Sequence, residues 1–178
     1  AMYENRKRSA MSTPPVTGES SLKYFLDRLA AVKPGPYDEH ILLVHNVCLD
    51  QNDIDEAKKV MNNVFWAVCP LSNIFIHNAL PPIPLMRKNG LDIMVGTDSL
   101  SSNDDLDIVK ELACLHNNFP DVPMNELFVW ASKTGARFLA KDDVMGSITP
   151  GKKPGLVFVS SLDENGGLTA DSRSKRIV

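Results

Sequence analysis

Three short apolar runs most constrain what this chain can fold into, because they alternate with segments of helical spacing. The runs are HILLVHNV at residues 40–47, VFWAVCPLSN at 64–73 and LDIMVGTDS at 91–99. Each is rich in β-formers and bounded by polar or turn residues, which is typical of parallel strands buried on both faces. Their spacing of roughly 25 to 30 residues predicts βαβ units with right-handed crossovers, and therefore an α/β fold.

Helices are expected where apolar residues recur every three or four positions. The predicted helical segments are SSLKYFLDRLAAV (20–32), DQNDIDEAKKVMNN (50–63), LPPIPLMRKNG (80–90), NDDLDIVKELACLHNNF (103–119) and PMNELFVWASKTGARFLA (123–140), the last broken near Gly135. Residues 1–20 are predicted to form an extended loop, and CPLSN at 69–73 a turn. Beyond residue 143 the chain is rich in Gly and Pro, with a strand expected at GLVFVSSL (155–162) and an edge strand at SRSKRIV (172–178).

Composition argues against several classes of protein. A net charge of −3 over 178 residues does not favour a nucleic-acid binder. No apolar run approaches the roughly 20 residues that a membrane span needs. The three cysteines, Cys48, Cys69 and Cys114, form no CxxC pair, which favours reduced core thiols over a thiolate zinc site. We therefore expect a cytoplasmic protein with neither nucleic acid nor membrane as a partner.

Polar side chains follow all three apolar runs. His45 follows ILLV, Ser72 and Asn73 lie in the CPLSN turn, and Asp98 follows IMVGT. The carboxyl ends of parallel strands meet at one edge of a sheet, where open α/β sheets and barrels place their chemistry. The sequence therefore predicts that His45, Ser72, Asn73 and Asp98 share one rim.

Asp98 and His45 also have purely structural interpretations. Asp98, or Ser99 after it, could cap the following helix, although Asn103 and Asp104 stand closer to its predicted start. A single histidine at a strand end, such as His45, is more often a hydrogen-bonded core residue than a catalyst. The residues alone leave both alternatives open.

Five sequence blocks occur in an order that resembles a known family. They are LLVHN, CPLSN, GTDSLSSNDDLDIVKEL, WASKTGARFL and GSITPGKKPGLVFV, between about Ile41 and Val159. Together they resemble the C-terminal half of the amidohydrolase superfamily, in its chlorohydrolase and nucleobase or nucleoside deaminase branch. One block alone would be a weak signal, whereas five in order are specific.

The resemblance implies the C-terminal part of a metal-dependent (β/α)₈ TIM-barrel hydrolase, about strands six to eight, with a small β element of a composite β-sandwich. Residues 1–143 would form the partial barrel and residues 144–178 the sandwich segment. The implied reaction is deamination or dechlorination of a small heterocyclic substrate at a C–N or C–Cl bond, by water that a divalent metal activates. Zinc is the expected metal, with iron as the alternative.

The resemblance also implies a role for each rim residue. Asp98 matches the family's metal-binding aspartate, which helps to deprotonate the water. His45 matches the histidine that polarises the substrate or leaving group. Ser72, Asn73 and Ser99 would bind substrate or shape the mouth of the barrel.

One departure from the family limits these expectations. No His-x-His occurs in the chain, so Asp98 is the one residue that matches a metal ligand, and a catalytic zinc needs about three. We expect the isolated chain to bind no metal stably and to be inactive. We also expect self-association, or complementation by a separate N-terminal part, to cover exposed barrel edges. The alternatives are a non-catalytic structural remnant and, ranked last because no Gly-rich phosphate loop follows a strand, a flavodoxin-like domain.

Overall fold

The structure is a computed structural model that describes residues 18–33 and 35–178. The chain divides into two compact units, Ala1–Pro34 and Gly35–Val178. In the first, helix α1 (Ser21–Val32) begins after Ser20, whose Oγ accepts from the backbone N–H of Lys23 at 3.0 Å. This confirms the predicted helix. The extended loop expected over residues 1–20 lies, for residues 1–17, outside the described residues.

The second unit contains a three-stranded parallel sheet, which confirms the predicted α/β character. The strands lie in the order β1-β2-β3, and Trp66 at the centre pairs with Leu43 on one side and Ile93 on the other. The strands are β1 (Tyr37–Val44), β2 (Met61–Val68) and β3 (Asp92–Val95), and the connecting helices are α2 (Gln51–Val60), α3 (Pro70–His77) and α4 (Ile83–Lys88).

Three further helices and a β-hairpin follow the sheet. They are α5 (Ile108–Asn118), α6 (Met124–Trp130), α7 (Lys133–Phe138), β4 (Val157–Leu162) and β5 (Leu168–Arg176), with β4 and β5 antiparallel. Asp107 joins the hairpin to α5, because its two carboxylate oxygens accept from the backbone N–H groups of Val109 and Ser174, each at 2.9 Å. Both predicted strands after residue 143 are therefore present. The division of the chain at residue 143 stays a prediction.

The core of this unit draws its largest side chains from β2, β3, α2, α4, α5 and α6. Its fully buried members include Trp66, Ile54, Ile93, Leu112, Leu115 and Leu127. Helix α2 begins with a capping box, in which Asp50 accepts from the N–H of Asp53 at 2.8 Å. Along the described residues, no helix combines the length and the apolar character that crossing a bilayer requires.

Several predicted boundaries were wrong. The segment Met61–Asn63, expected to end a helix, opens β2, because Met61 pairs with Tyr37 and Asn63 with His40 in the parallel ladder. The CPLSN segment, expected to be a turn, begins helix α3, with Pro70 at its first position, where a missing N–H costs nothing.

The helices around α5 to α7 also begin and end elsewhere than expected. Helix α5 is capped by Asp107, whose side chain accepts from Val109, and not by Asn103 or Asp104. Residues 123–140 contain two helices that separate at Ala131 and Ser132, earlier than the expected break at Gly135.

The three cysteines are free thiols, but only two are sheltered. Cys69 is buried and Cys114 half-buried, whereas Cys48 is exposed, so the prediction of three core thiols was wrong for Cys48. Burial is the first cause that raises the pKa of both Cys69 and Cys114 to about 11.

We expect iodoacetamide at neutral pH to alkylate Cys48 first in the folded chain, because Cys69 and Cys114 have little thiolate there. Mass spectrometry of the intact chain should show one modification, and three after unfolding in urea. Rapid triple labelling of the folded chain would contradict this expectation.

Candidate functional site

The carboxyl ends of the three parallel strands form a rim that carries the predicted polar residues. His45 directly follows β1, Ser72 and Asn73 lie in the first turn of α3 just after β2, and Asp98 follows β3. The ladder continues to this edge, since His45 N–H donates to Ala67 O at 2.9 Å. The side chains of His45 and Asp98 are 36% and 32% exposed, so a small molecule can reach both.

Asp98 is held by two hydroxyl groups. Its Oδ2 accepts from Ser72 Oγ at 2.8 Å and from Ser102 Oγ at 3.0 Å. The hydrogen bond from Ser72 is the largest cause that lowers the pKa of Asp98, and the bonds from Ser102 and from the N–H of Ser99, with the nearby His45, lower it further against the effect of burial. The carboxylate is therefore ionised at neutral pH.

His45 is oriented by Asn73. The Asn73 amide nitrogen donates to the carbonyl oxygen of His45 at 3.1 Å, and its Oδ1 lies 3.1 Å from His45 Nδ1. Because a carbonyl oxygen only accepts, these contacts fix the orientation of the amide and place the hydrogen of the neutral ring on Nδ1. The other ring nitrogen, Nε2, then faces Asp98, with 3.8 Å between Nε2 and Oδ2.

Three of the six described non-glycine residues with a positive φ angle lie at this rim. His45, Asn46 and Asp98 have φ angles of 72°, 58° and 59°, in the left-handed region that non-glycine residues rarely adopt. Asn46 stabilises the turn after β1, since its side-chain amide donates to Leu43 O at 2.9 Å and to Ala67 O at 3.0 Å. Strained residues that neighbouring contacts hold in place are characteristic of functional sites.

The capping alternative for Asp98 does not hold. The following helix, α5, begins ten residues later at Ile108, and Asp107 caps it. Ser99 does not cap α5 either, since its Oγ accepts from the N–H of Ser101 at 3.3 Å. The expected part of Ser99 in shaping the mouth stays a prediction.

The donor atoms at the rim do not by themselves fit the divalent metal that the resemblance implies. Over residues 18–33 and 35–178, no three His, Cys, Asp or Glu side chains are placed to share one ion. His45 Nε2 and Asp98 Oδ2 are two donors, fewer than the roughly three protein ligands of a catalytic zinc.

Sequence reasoning missed three residues that build the rim. Ser102 holds Asp98, while Asn103 and Glu111 hydrogen-bond to each other behind it, with 2.6 Å between Asn103 Nδ2 and Glu111 Oε1. Burial is the main cause that raises the pKa of Glu111, against the hydrogen bonds it accepts. A signal for Glu111 was present, since it stands between Val109 and Leu112 on the apolar face of α5, where a charge needs a partner.

Comparison with known proteins shows the family to which this arrangement belongs. The sequence model of the amidohydrolase family matches residues 24–177. The chain belongs to the amidohydrolase family. This confirms the resemblance of its five sequence blocks.

The relatives of this amidohydrolase chain include several deaminases. It is 31% identical over 132 residues to a 5-methylthioadenosine/S-adenosylhomocysteine deaminase of Desulfitobacterium hafniense, covering 71% of this chain and 30% of that protein. It is 28% identical over 161 residues to a 5'-deoxyadenosine deaminase of Methanobrevibacter smithii, covering 86% of this chain and 35% of that protein.

A solved structure gives the same result at the level of the fold. The adenosine deaminase of Xanthomonas campestris, a crystal structure with bound zinc, superposes with a TM-score of 0.62 at 26% identity, over 75% of this chain and 31% of that one. The chain therefore spans about a third of the length of the relatives that it matches.

Proposed function

We propose that this chain supplies one part of the active site of a hydrolytic deaminase, in which β1, β2 and β3 correspond to strands six to eight of a (β/α)₈ barrel. The observation that carries the proposal is the ionised carboxylate of Asp98, held by Ser72 and Ser102 at the carboxyl rim and facing His45 Nε2. Attack by water requires a general base and a second polar group that face the same accessible space.

The proposed substrate is a purine nucleoside that carries an exocyclic amine, because the relatives include deaminases of methylthioadenosine and deoxyadenosine. Water attacks the ring carbon that bears the amine, Asp98 accepts the proton of the water, and that proton passes to the departing nitrogen. A C–O bond forms, the C–N bond breaks and ammonia leaves. His45 polarises the substrate or the leaving amine through Nε2, the ring nitrogen that faces Asp98.

Dechlorination, the other reaction that the resemblance implies, stays a prediction, since no contact at the rim favours it. The non-catalytic alternative and the expected self-association or complementation also stay predictions. A divalent metal that activates the water would need ligands beyond the two donors His45 and Asp98.

A chimera tests the proposed reaction. The segment of this chain that aligns over 132 residues with the Desulfitobacterium deaminase replaces the matching part of that protein, so that the remaining segments come from a complete enzyme. We expect the folded chimera to release ammonia from 5-methylthioadenosine. A chimera that folds and binds zinc but releases no ammonia would contradict the proposal.

Zinc binding tests the donor set of the isolated chain. We expect calorimetric titration of the full chain with Zn²⁺ to show no tight binding at micromolar protein, because two donors cannot complete a catalytic zinc site. We also expect no ammonia release by the isolated chain with zinc added. Tight binding that Asp98→Ala abolishes would show that the chain holds the metal alone.

A further inference from the structure

Glu111 lies on α5 behind the rim and is fully buried. Charged side chains are seldom buried unless their polar atoms are paired. Both oxygens of Glu111 are paired: Oε2 accepts from the backbone N–H of Leu71 at 2.9 Å, and Oε1 accepts from Asn103 Nδ2 at 2.6 Å. One carboxylate therefore joins the start of α3, after β2, to the loop after β3.

Helix α3 has no cap of its own. Cys69, at its N-cap position, makes no side-chain capping bond, and Pro70 has no N–H to donate. The first backbone donor of the helix is therefore the N–H of Leu71. It donates to the carboxylate of Glu111, which lies 40 residues further along the chain. A carboxylate at this end also interacts favourably with the helix dipole.

The two residues that follow Leu71 hold the candidate catalytic pair. Ser72 donates to the carboxylate of Asp98 at 2.8 Å, and Asn73 makes the two contacts that orient the ring of His45. A shift in the first turn of α3 would therefore displace the partners of Asp98 and His45 together.

The second oxygen of Glu111 acts on the loop that carries Asp98. Asn103 Nδ2, which donates to Glu111, also donates to the carbonyl oxygen of Thr97 at 2.8 Å, the residue directly before Asp98. Asp98 has a left-handed φ of 59°, so its conformation depends on contacts that fix the adjoining peptide groups.

We propose that Glu111 is a positioning residue for this site: it caps α3 across the fold and, through Asn103, fixes the loop that carries Asp98. It touches neither His45 nor Asp98 and acts through the groups that hold them. The inference rests on the proposed function for its catalytic meaning, whereas the positioning itself can be measured without turnover.

The test uses the full chain and two substitutions. Glu111→Leu removes both acceptors, and Glu111→Gln keeps one acceptor oxygen in a side chain of the same size. We expect hydrogen exchange of the Leu71 amide to be fastest in the Leu variant, by about tenfold or more over the parent, and intermediate in the Gln variant. The nitrogen NMR signals of the His45 ring should move from the Nδ1–H tautomer toward a mixture, because Asn73 no longer holds Nδ1 in place.

The control is Glu126→Gln, the same change in a carboxylate that pairs with Arg87 between α4 and α6, at 2.7 Å. It should leave the exchange of Leu71 and the ring signals of His45 as they are in the parent. Unchanged exchange and unchanged ring signals in both folded Glu111 variants would overturn the proposal.

A third variant keeps the test decisive if Glu111→Leu does not fold. Asn103→Ala removes the side-chain amide that links Glu111 to the carbonyl oxygen of Thr97, and it leaves Glu111 unchanged. We expect this variant to shift the backbone amide signals of Thr97 and Asp98. No shift in Asn103→Ala, together with parent-like exchange at Leu71 in Glu111→Gln, would overturn the proposal.

The chimera separates this inference from the proposed reaction. If the folded parent chimera is inactive but the Glu111 variants of the isolated chain show the expected NMR differences, the positioning role is supported and the proposed deamination is contradicted. In an active chimera, Glu111→Gln should lower kcat with little change in KM, because the groups that it positions act in the chemical step. An active chimera with no NMR difference in any Glu111 variant would overturn the positioning role alone.

Discussion

Asp98→Asn should lower the rate of ammonia release by the chimera about 10²- to 10⁴-fold, the usual contribution of a positioned general base. Asparagine keeps the shape of the side chain, and its amide oxygen can still accept from Ser72 and Ser102. It cannot take a proton from water at neutral pH, however, so the loss should fall on kcat and leave the circular dichroism unchanged. Steady-state assays of ammonia release, with KM measured separately, check this expectation.

The matched control is Asp104→Asn, which makes the same chemical change in an exposed carboxylate of the same loop. Asp104 does not cap α5, since Asp107 does, so its charge should contribute little to the rate or the fold. Equal losses in the two variants would mean that the charge of the loop matters rather than the carboxylate at position 98. An Asp98→Asn chimera as active as its parent would exclude Asp98 as the base.

The rim could be predicted from the sequence because three apolar runs, each interpreted as a strand of one parallel sheet, end in polar residues. Apolar runs that end in His45, in Ser72 and Asn73, and in Asp98 place these residues at one edge of any parallel sheet that the runs form. The structure brings the four within hydrogen-bonding distance or ion-pair distance of one another. Their catalytic roles rest on the family resemblance and stay proposals.

The contacts that hold the rim could not be read from local patterns. The bond from Leu71 to Glu111 spans 40 residues, and the bond from Ser72 to Asp98 spans 26. Capping rules look for an acceptor within three residues of a helix start, whereas α3 takes its acceptor from another helix. Only the position of Glu111 on an apolar face hinted at such a partner.

The wrong boundaries have a related cause. Residues 61–63 continue a helical pattern, yet the gain from pairing with β1 exceeds their weak local preference. Asn103 is an acceptable cap by type, but its amide bonds to Thr97 and Glu111, and Asp107 is left to cap α5. In both places tertiary hydrogen bonds override a local preference of less than about 1 kcal/mol.

Trp66→Ala should lower the free energy of unfolding by about 3–5 kcal/mol, a large part of the roughly 5–15 kcal/mol of a typical domain. Trp66 is fully buried in the central strand, between Leu43 and Ile93, so truncation leaves a cavity that both neighbouring strands line. Because the site residues follow these same strands, we expect the rim to loosen with the sheet. Urea denaturation followed by circular dichroism checks the loss.

Trp66→Phe is the variant that identifies the cause of that loss. Within the part of the chain that the structure describes, the indole Nε1–H of Trp66 is buried with no hydrogen-bond partner, and an unpaired buried donor costs about 1–3 kcal/mol. Phenylalanine removes this donor and keeps most of the aromatic volume, so the two effects oppose each other and the net loss should be less than half that of Trp66→Ala. If Trp66→Phe instead destabilises the chain as much as Trp66→Ala, the indole N–H has a partner in the folded protein, and the stability of β2 depends on that bond rather than on packing.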